Sequence, residues 1–444
     1  MKKSYIINNL DEAQCDLVMR SRDFINANGS RPESAANPDL YLNSWARVRG
    51  NARLRILQNG IKGIPYYLLR WLADFKSYLT KSNMICSPER VQFQKYTNIV
   101  LSWGMLNDFD NCGTYFDRYF ATSSKDTSET LWIILYSSSK KPKVIEKNIM
   151  LLYWHNHTFF ESFLKLFSTI FSFSKMSSFS QQSSQKISAV VTRELACNSS
   201  IKKVILPYEA QPFQQTLFEC IKRNFPNVES VGYLHSSPPP LPTDLLYRKG
   251  CPSNLMVHGE GIKVMLSEQF NWPLKNLTVI KSLRYTQESS KKFDNEILLP
   301  YSFNNADRIL DTFKIVLKKS LINEVNLWSV RNHPVQLDSV AHLKLEESLN
   351  QIISSACITA TDCGSNIKQT IMIGATAAIL EALEQGIEVI HIVSDPLLEA
   401  HSSLIWRYID VERLGDYIFL YKMKEIGKYI RMGDASNNFV TTFS

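Results

Sequence analysis

Glu209 lies in Tyr208-Glu209-Ala210-Gln211-Pro212, directly after the apolar run Lys203-Val204-Ile205-Leu206-Pro207. A strand there delivers its carboxylate to the C-terminal edge of a sheet. From that edge a carboxylate can take the proton of an attacking hydroxyl, or act itself as the nucleophile. His235, followed by Ser236, ends a second apolar run and is placed to bind the same substrate. Asp108 and Asp110 follow Ile99-Val100-Leu101-Ser102-Trp103-Gly104 in a comparable loop, and offer further acid-base candidates.

Two segments nearer the C-terminus suit a different task. In Val330-Arg331-Asn332-His333-Pro334 the proline excludes α geometry for His333, so histidine and Arg331 sit in a turn after the strand-like Glu324–Trp328. Both are donors suited to phosphate oxygens. In Gly374-Ala375-Thr376-Ala377-Ala378-Ile379-Leu380-Glu381, Gly374 permits a tight turn and Thr376 offers a hydroxyl. The helix expected over Ala375–Glu384 adds amides and a positive dipole end, and Glu381 lies within reach of ribose hydroxyls. Each segment alone is also compatible with a plain surface turn or a packed Ala-rich helix. Together, at strand ends in an alternating α/β context, they point to a nucleotide phosphate.

The elements that must position these groups are strands alternating with helices. Lys203–Pro207, Glu229–His235 and Leu255–Gly259 read as strands, with helices over Gln211–Asn224 and Gly261–Gln269. Ser237-Pro238-Pro239-Pro240-Leu241-Pro242 must be loop. Ile99–Gly104 and Leu131–Tyr136 are buried-strand candidates, and the Ser/Gln-rich Ser174–Ser188 reads as a surface loop or linker. After the polar segment Thr286–Asp294 the alternation resumes. Strands are expected over Glu296–Tyr301, near Trp328, over Thr370–Ile373 and over Val389–Ile392, with helices over Asn305–Ser320, Val340–Ser355 and Ala375–Glu384. Residues 1–90 read as mostly helical, including Ile64–Leu72. The expectation is an α/β protein of two Rossmann-like units with a cleft between them. Residues 1–287 form the acceptor-side unit with its helical extension, and residues 288–444 form the nucleotide-binding unit.

With 444 residues, 44% apolar and 21% charged, the chain excludes a disordered or fibrous class and favours two cores. A net charge of +8 permits anionic partners, but the basic residues are scattered and no nucleic-acid recognition module is present. Eight cysteines without a CxxC pair favour reduced thiols in a cytoplasmic enzyme. The N-terminus lacks the apolar run of a signal peptide. Phe159–Phe173 carries an aromatic stripe, but Glu161 and Lys165 interrupt it and it is shorter than the roughly 20 residues of a membrane span. Core packing is its first reading, and peripheral attachment at the inner face of the membrane its second. Asp108-Phe109-Asp110 also spells a metal-binding Asp-x-Asp, and His155-x-His157 is a two-histidine spacing without a local third ligand. No Walker, GxSxG or GxGxxG motif is present.

The His333-Pro334 and Gly374–Thr376 segments resemble the His-Pro and Ser/Thr motifs of bacterial sialyltransferases and Kdo transferases, GT-B glycosyltransferases that use CMP-activated sugars. Tyr208–Gln214, Val231–Ser236 and Asp117-Arg118-Tyr119-Phe120 resemble surface-carbohydrate biosynthesis proteins of the capsule and O-antigen type. The likeness spans roughly residues 97–400, and Ala375-Thr376-Ala377 has one hydroxyl where relatives often carry two. It implies a GT-B-like fold, with His333 and Thr376 holding the nucleotide phosphate of a CMP-sugar, Kdo or a sialic-acid-like sugar preferred. Asp108 and Asp110 echo the acidic motif of the N-terminal unit. A glycan or lipid-linked glycan would be the acceptor, and no further cofactor is required. The rival readings are a CDP-polyol phosphotransferase of teichoic-acid-like synthesis and a non-catalytic sugar-nucleotide-binding protein.

Overall fold

A computed structural model describes residues 9–27, 96–138, 140–153, 178–286, 293, 295–301, 303, 305–319, 321–322, 327–334, 336–357, 368–434 and 438–443. Ile64–Leu72, His155, His157 and the Phe159–Phe173 stripe lie outside these residues.

The first sheet is parallel throughout. Its strands are β1 (Asn98–Gly104), β4 (Thr130–Tyr136), β5 (Ile149–Tyr153), β6 (Lys203–Pro207), β7 (Glu229–Tyr233), β8 (Asn254–Val257) and β9 (Leu277–Val279), in the order β5-β4-β1-β6-β7-β8-β9. Both faces are covered, which is why β4 can be apolar without alternation and buried at every position. Helices α2 (Ser178–Cys197), α3 (Pro212–Asn224) and α4 (Glu260–Glu268) join these strands. A small hairpin, β2 (Phe116–Asp117) with β3 (Thr122–Ser123), follows β1.

The second sheet holds parallel β10 (Glu296–Leu298), β11 (Ser329–Arg331), β12 (Gln369–Ile373) and β13 (Glu388–Ile392). Antiparallel β14 (Ile409–Gly415) and β15 (Ile418–Met423) complete the order β11-β10-β12-β13-β15-β14. Helices α5 (Ala306–Lys318) and α6 (Val340–Cys357) pack with it. The described residues therefore form an α/β protein with two large sheets and the small β2–β3 hairpin, and no described helix is long and apolar enough to cross a membrane.

Three expectations need correction, and one further element is new. Ser178 onward is helix rather than loop, because Ile187, Val190, Val191 and Leu195 recur at helical spacing and are buried. The strand near Trp328 runs over Ser329–Arg331, so Arg331 belongs to β11 and only Asn332 onward turns. The helix expected from Ala375 is α7 (Ala378–Leu383), six residues long, so its first turn begins after Thr376. The hairpin β14–β15 had no counterpart in the sequence reading.

The halves are tied at several places. One apolar cluster runs from Ile99, Leu206 and Leu217 into Met372, Leu380, Trp406 and Tyr421, and Trp406 Nε1 donates to Pro240 O at 2.6 Å. Helix α1 (Leu10–Ala27) packs on the second half, where Gln14 Nε2 donates to Leu397 O and Ala400 O. Helix α8 (Phe439–Phe443) returns to the first sheet, its Phe439 against Phe120 and Trp132. Between them two segments run side by side: Ser282 N–H donates to Arg431 O and Gly433 N–H to Tyr285 O, while Arg431 N–H donates to His258 O. Gly259 has no alternative here, since a Cβ would stand 2.1 Å from Lys428 O.

Glu384, just after α7, clamps the returning segment. Its buried carboxylate accepts the N–H groups of Gly427, Tyr429 (2.6 Å) and Ile430 (3.0 Å). Burial raises its pKa, and those three donors pull it back. Glu384→Ala strands buried N–H groups, so urea unfolding should show a loss of about 3 kcal/mol. A loss under about 0.5 kcal/mol would mean the clamp contributes nothing.

Candidate active site

Strand β6 ends at Pro207, and Ala210 takes φ 53°, so the chain turns sharply and lifts Glu209 to the sheet edge. Gln214, fully buried on α3, locks the turn. Its Oε1 accepts Glu209 N–H (3.0 Å) and Gln211 N–H (3.1 Å), and its Nε2 donates to Pro207 O (2.6 Å). Gln211 Nε2 donates to Glu209 Oε2 at 2.6 Å. On the other oxygen, His235 Nε2 stands 3.5 Å from Oε1. The Glu209 side chain keeps 22% exposure, enough for a substrate to reach it.

His235 follows β7 and is buried. Burial, then Arg284 and His258, push its pKa down to about 3, so the imidazole beside Glu209 is neutral at physiological pH. Its partner is therefore a carboxylate facing an uncharged ring, not an ion pair. Tyr119 packs edge-on against that ring at 4.6 Å, and Trp103, at the end of β1, lies 5.4 Å from Tyr119. Buried Asp117 positions Tyr119: its Oδ1 accepts the N–H groups of Tyr119 and Phe120, both at 2.8 Å. Burial and the nearby Glu209 raise the Tyr119 pKa, so its hydroxyl stays protonated. Ser236, next to His235, is half-buried at the same edge.

Asp108 and Asp110 do not join this cluster. Asp108 pairs with Arg118 at 2.6 Å and accepts Met105 N–H, while Asp110 Oδ1 accepts the N–H groups of Cys112 and Thr114. Both carboxylates shape their own loop. Among the described residues, no three His, Cys, Asp or Glu side chains gather to hold a metal.

On the second sheet, Gly374 follows β12 with φ +69°, and a Cβ there would crowd Pro300 at 3.1 Å. His391 on β13 fixes this turn from beneath, its Nε2 2.7 Å from Gly374 O. A carbonyl only accepts, so Nε2 carries the proton and Nδ1 is the acceptor for Tyr421 OH at 3.0 Å. Thr376 Oγ1 accepts Ala378 N–H (3.3 Å) and is half-buried, as are Ala375 and Ala377. Glu381, in the first turn of α7, is close enough for its charge to reach Tyr285 between the sheets.

His333 and exposed Pro334 follow β11, one strand beyond β10 from Gly374. Two strand spacings put the His333 and Thr376 loops about 10 Å apart along one edge. His333 meets Tyr301 edge-on at 5.4 Å. Arg331 turns away from this edge: its guanidinium pairs with Glu296 at 3.0 Å and lies over Phe293.

Three residues of this neighbourhood escaped the sequence reading: Trp103, Arg284 and His391. Trp103 lies in a segment that was noticed only as a strand. Arg284 had one usable signal, a cation beside an aromatic just before the polar segment between the two units.

No protein-family model and no curated protein matches this chain. Among solved structures, the N-terminal domain of trehalose-6-phosphate phosphatase from Candida albicans aligns over 72% of this chain and 89% of its own, at 8% identity. Its TM-score is 0.34, too low for an inference of fold or function.

Proposed function

We propose that the chain is a GT-B-type glycosyltransferase of surface-polysaccharide synthesis that moves a sugar from a nucleotide-activated donor, preferably a CMP-linked ulosonic acid, to a glycan acceptor. The observation that carries this reading is the Glu209 carboxylate beside neutral His235, flanked by half-buried Tyr119 and Trp103, at the C-terminal edge of a parallel sheet. Half-exposed aromatic faces suit the C–H faces of a sugar ring, and a carboxylate at their side suits its hydroxyls.

In this mechanism Glu209 takes the proton from the acceptor hydroxyl as its oxygen attacks the anomeric carbon. His235, donating through Nε2–H, keeps the carboxylate oriented. The glycosidic bond to phosphate breaks and its electron pair leaves with CMP. His333 and Thr376, on the second edge, hydrogen-bond the departing phosphate, and Glu381 meets the ribose. A donor with a single phosphate needs less charge neutralisation than a diphosphate, so these groups carry the leaving-group side.

A thermal-shift panel of CMP, CDP, UDP, GDP and ADP tests the reading. Ligand at about 100 times its Kd stabilises by about 2.7 kcal/mol, a Tm rise of several degrees. CMP is expected to give it. A rise only with UDP or GDP would remove the CMP donor, and no rise with any nucleotide would remove the transferase reading.

A further inference from the structure

We propose that Arg284 is the receptor for an oxyanion on the molecule that Glu209 acts on, so that the acceptor is an acidic sugar or a sugar phosphate rather than a neutral glycan. The identity of that molecule as an acceptor rests on the transferase reading above; the anion requirement does not.

Arg284 stands in the first of the two segments that cross between the sheets, and its backbone is held on all sides. Fully buried Ser282 accepts, through its hydroxyl, the N–H groups of Arg284 (3.2 Å) and Tyr285 (2.9 Å). Leu283 N–H donates to Tyr233 OH at 3.1 Å, at the end of β7. Tyr285 lies edge-on to His258, just past β8, at 5.9 Å. This fixing determines where the Arg284 side chain leaves the backbone.

That side chain is exposed and lies over the Tyr285 ring, 5.5 Å from its centroid. Among the described residues its guanidinium makes no ion pair, unlike Arg118, Arg331, Arg407, Arg413 and Arg431. Yet acids are close by. Glu209 acts on Tyr119 and Glu381 acts on Tyr285, two groups that also feel the Arg284 charge. The geometry agrees with this neighbourhood: Tyr233, whose hydroxyl accepts Leu283 N–H, stacks at 5.2 Å on Phe120, the residue beside Tyr119. His235, the other nitrogen base at this edge, is neutral and adds no competing cation.

A guanidinium of this kind presents a planar fork of donors that matches a carboxylate or phosphate in two parallel hydrogen bonds. Its contact with the Tyr285 ring face uses none of those N–H groups. An oxyanion seated there would hold its sugar against the Trp103–Tyr119 surface with a hydroxyl toward Glu209. It would also screen Glu209 from Arg284 only when substrate is bound.

The test is calorimetric titration at low salt of the full chain with glucuronate, its uncharged methyl ester, inorganic phosphate and, separately, CMP. Wild type should bind glucuronate or phosphate at least tenfold more tightly than the ester. Arg284→Met should lose that preference, and Arg284→Lys should recover part of it, with Tm unchanged because the side chain is exposed. Glucuronate alone identifies a carboxylate, and phosphate alone a phosphate ester. Equal binding by wild type and Arg284→Met, or no binding of either anion, overturns the inference. CMP separates the two readings: CMP binding without an anion preference leaves the transferase standing and this inference lost, and the converse result does the opposite.

Discussion

Glu209→Gln is expected to lower kcat by about 10²–10⁴-fold, measured as CMP released from a CMP-sugar in the presence of acceptor, with KM for the donor little changed. The substitution keeps the shape of the side chain and an oxygen for the Gln211 amide. It removes only the proton acceptor, and the turn itself is held by Gln214 on backbone atoms. Folding should therefore survive, which a Tm within a degree or two of wild type would confirm. Activity within about threefold of wild type would eliminate Glu209 as the base. His235→Asn should act more mildly, because it orients the carboxylate and touches no reacting atom. A split in which Glu209→Gln lowers kcat while Thr376→Val raises the donor KM would separate the two edges by function.

Strands β1, β4, β6, β7 and β8 and the parallel strands of the second sheet were legible as short apolar runs, β4 and β6 most clearly because they are continuous apolar runs bounded by turn residues, whereas β5, β9 and the hairpin β14–β15 were not read. Glu209 was legible for the same reason: a proline-marked turn after such a run can only lie at the sheet edge. The Ser/Gln-rich start of α2 was not, since composition suggested a linker while four apolar residues at helical spacing decided the packing. Asp108 and Asp110 looked catalytic because a carboxylate in a loop and a carboxylate capping its own loop are identical in sequence; the separating fact is the Arg118 pairing and the backbone donors. Arg331 misled similarly, because the strand was assigned too early and its side chain's reach to Glu296 depends on strand register. Local periodicity carries no information about chain segments that pair across the molecule. Thus the paired crossings at 282–285 and 431–433, the Glu384 clamp and the His391 support of Gly374 appear only once the chain is folded.

The largest effect on stability should come from acid. His235 and His258 are held down to about 3, His391 to about 4, and His401 well below its ordinary value, in each case chiefly by burial. Unfolded histidines titrate near 6.5, so between that pH and about 4 the unfolded chain takes up protons that the folded chain refuses. The contribution is fully present above 6.5 and is lost as pH falls. Each such histidine removes roughly 2 kcal/mol between pH 7.5 and 5, and four together approach the whole stability of an ordinary domain. Burial raises the pKa of Asp117 and Glu384, whose protonation offsets part of this loss. Tm measured from pH 8 to pH 5 should therefore fall steeply and reversibly, and a flat profile would contradict neutral burial of these rings. His401 isolates the effect: it packs 4.8 Å from Trp406 and 5.0 Å from Tyr421, and neither ring nitrogen has a hydrogen-bond partner among the described residues. Because no described residue bonds to that imidazole, His401→Phe keeps the ring packing while deleting one proton site and two buried ring nitrogens. The variant should be at least as stable at pH 7.5 and should lose less on acidification, by about one histidine's share. A variant that falls as steeply as wild type would place the acid sensitivity in the remaining three, and above all in the His391–Tyr421 pair, where an added proton meets a hydroxyl hydrogen already pointing at Nδ1.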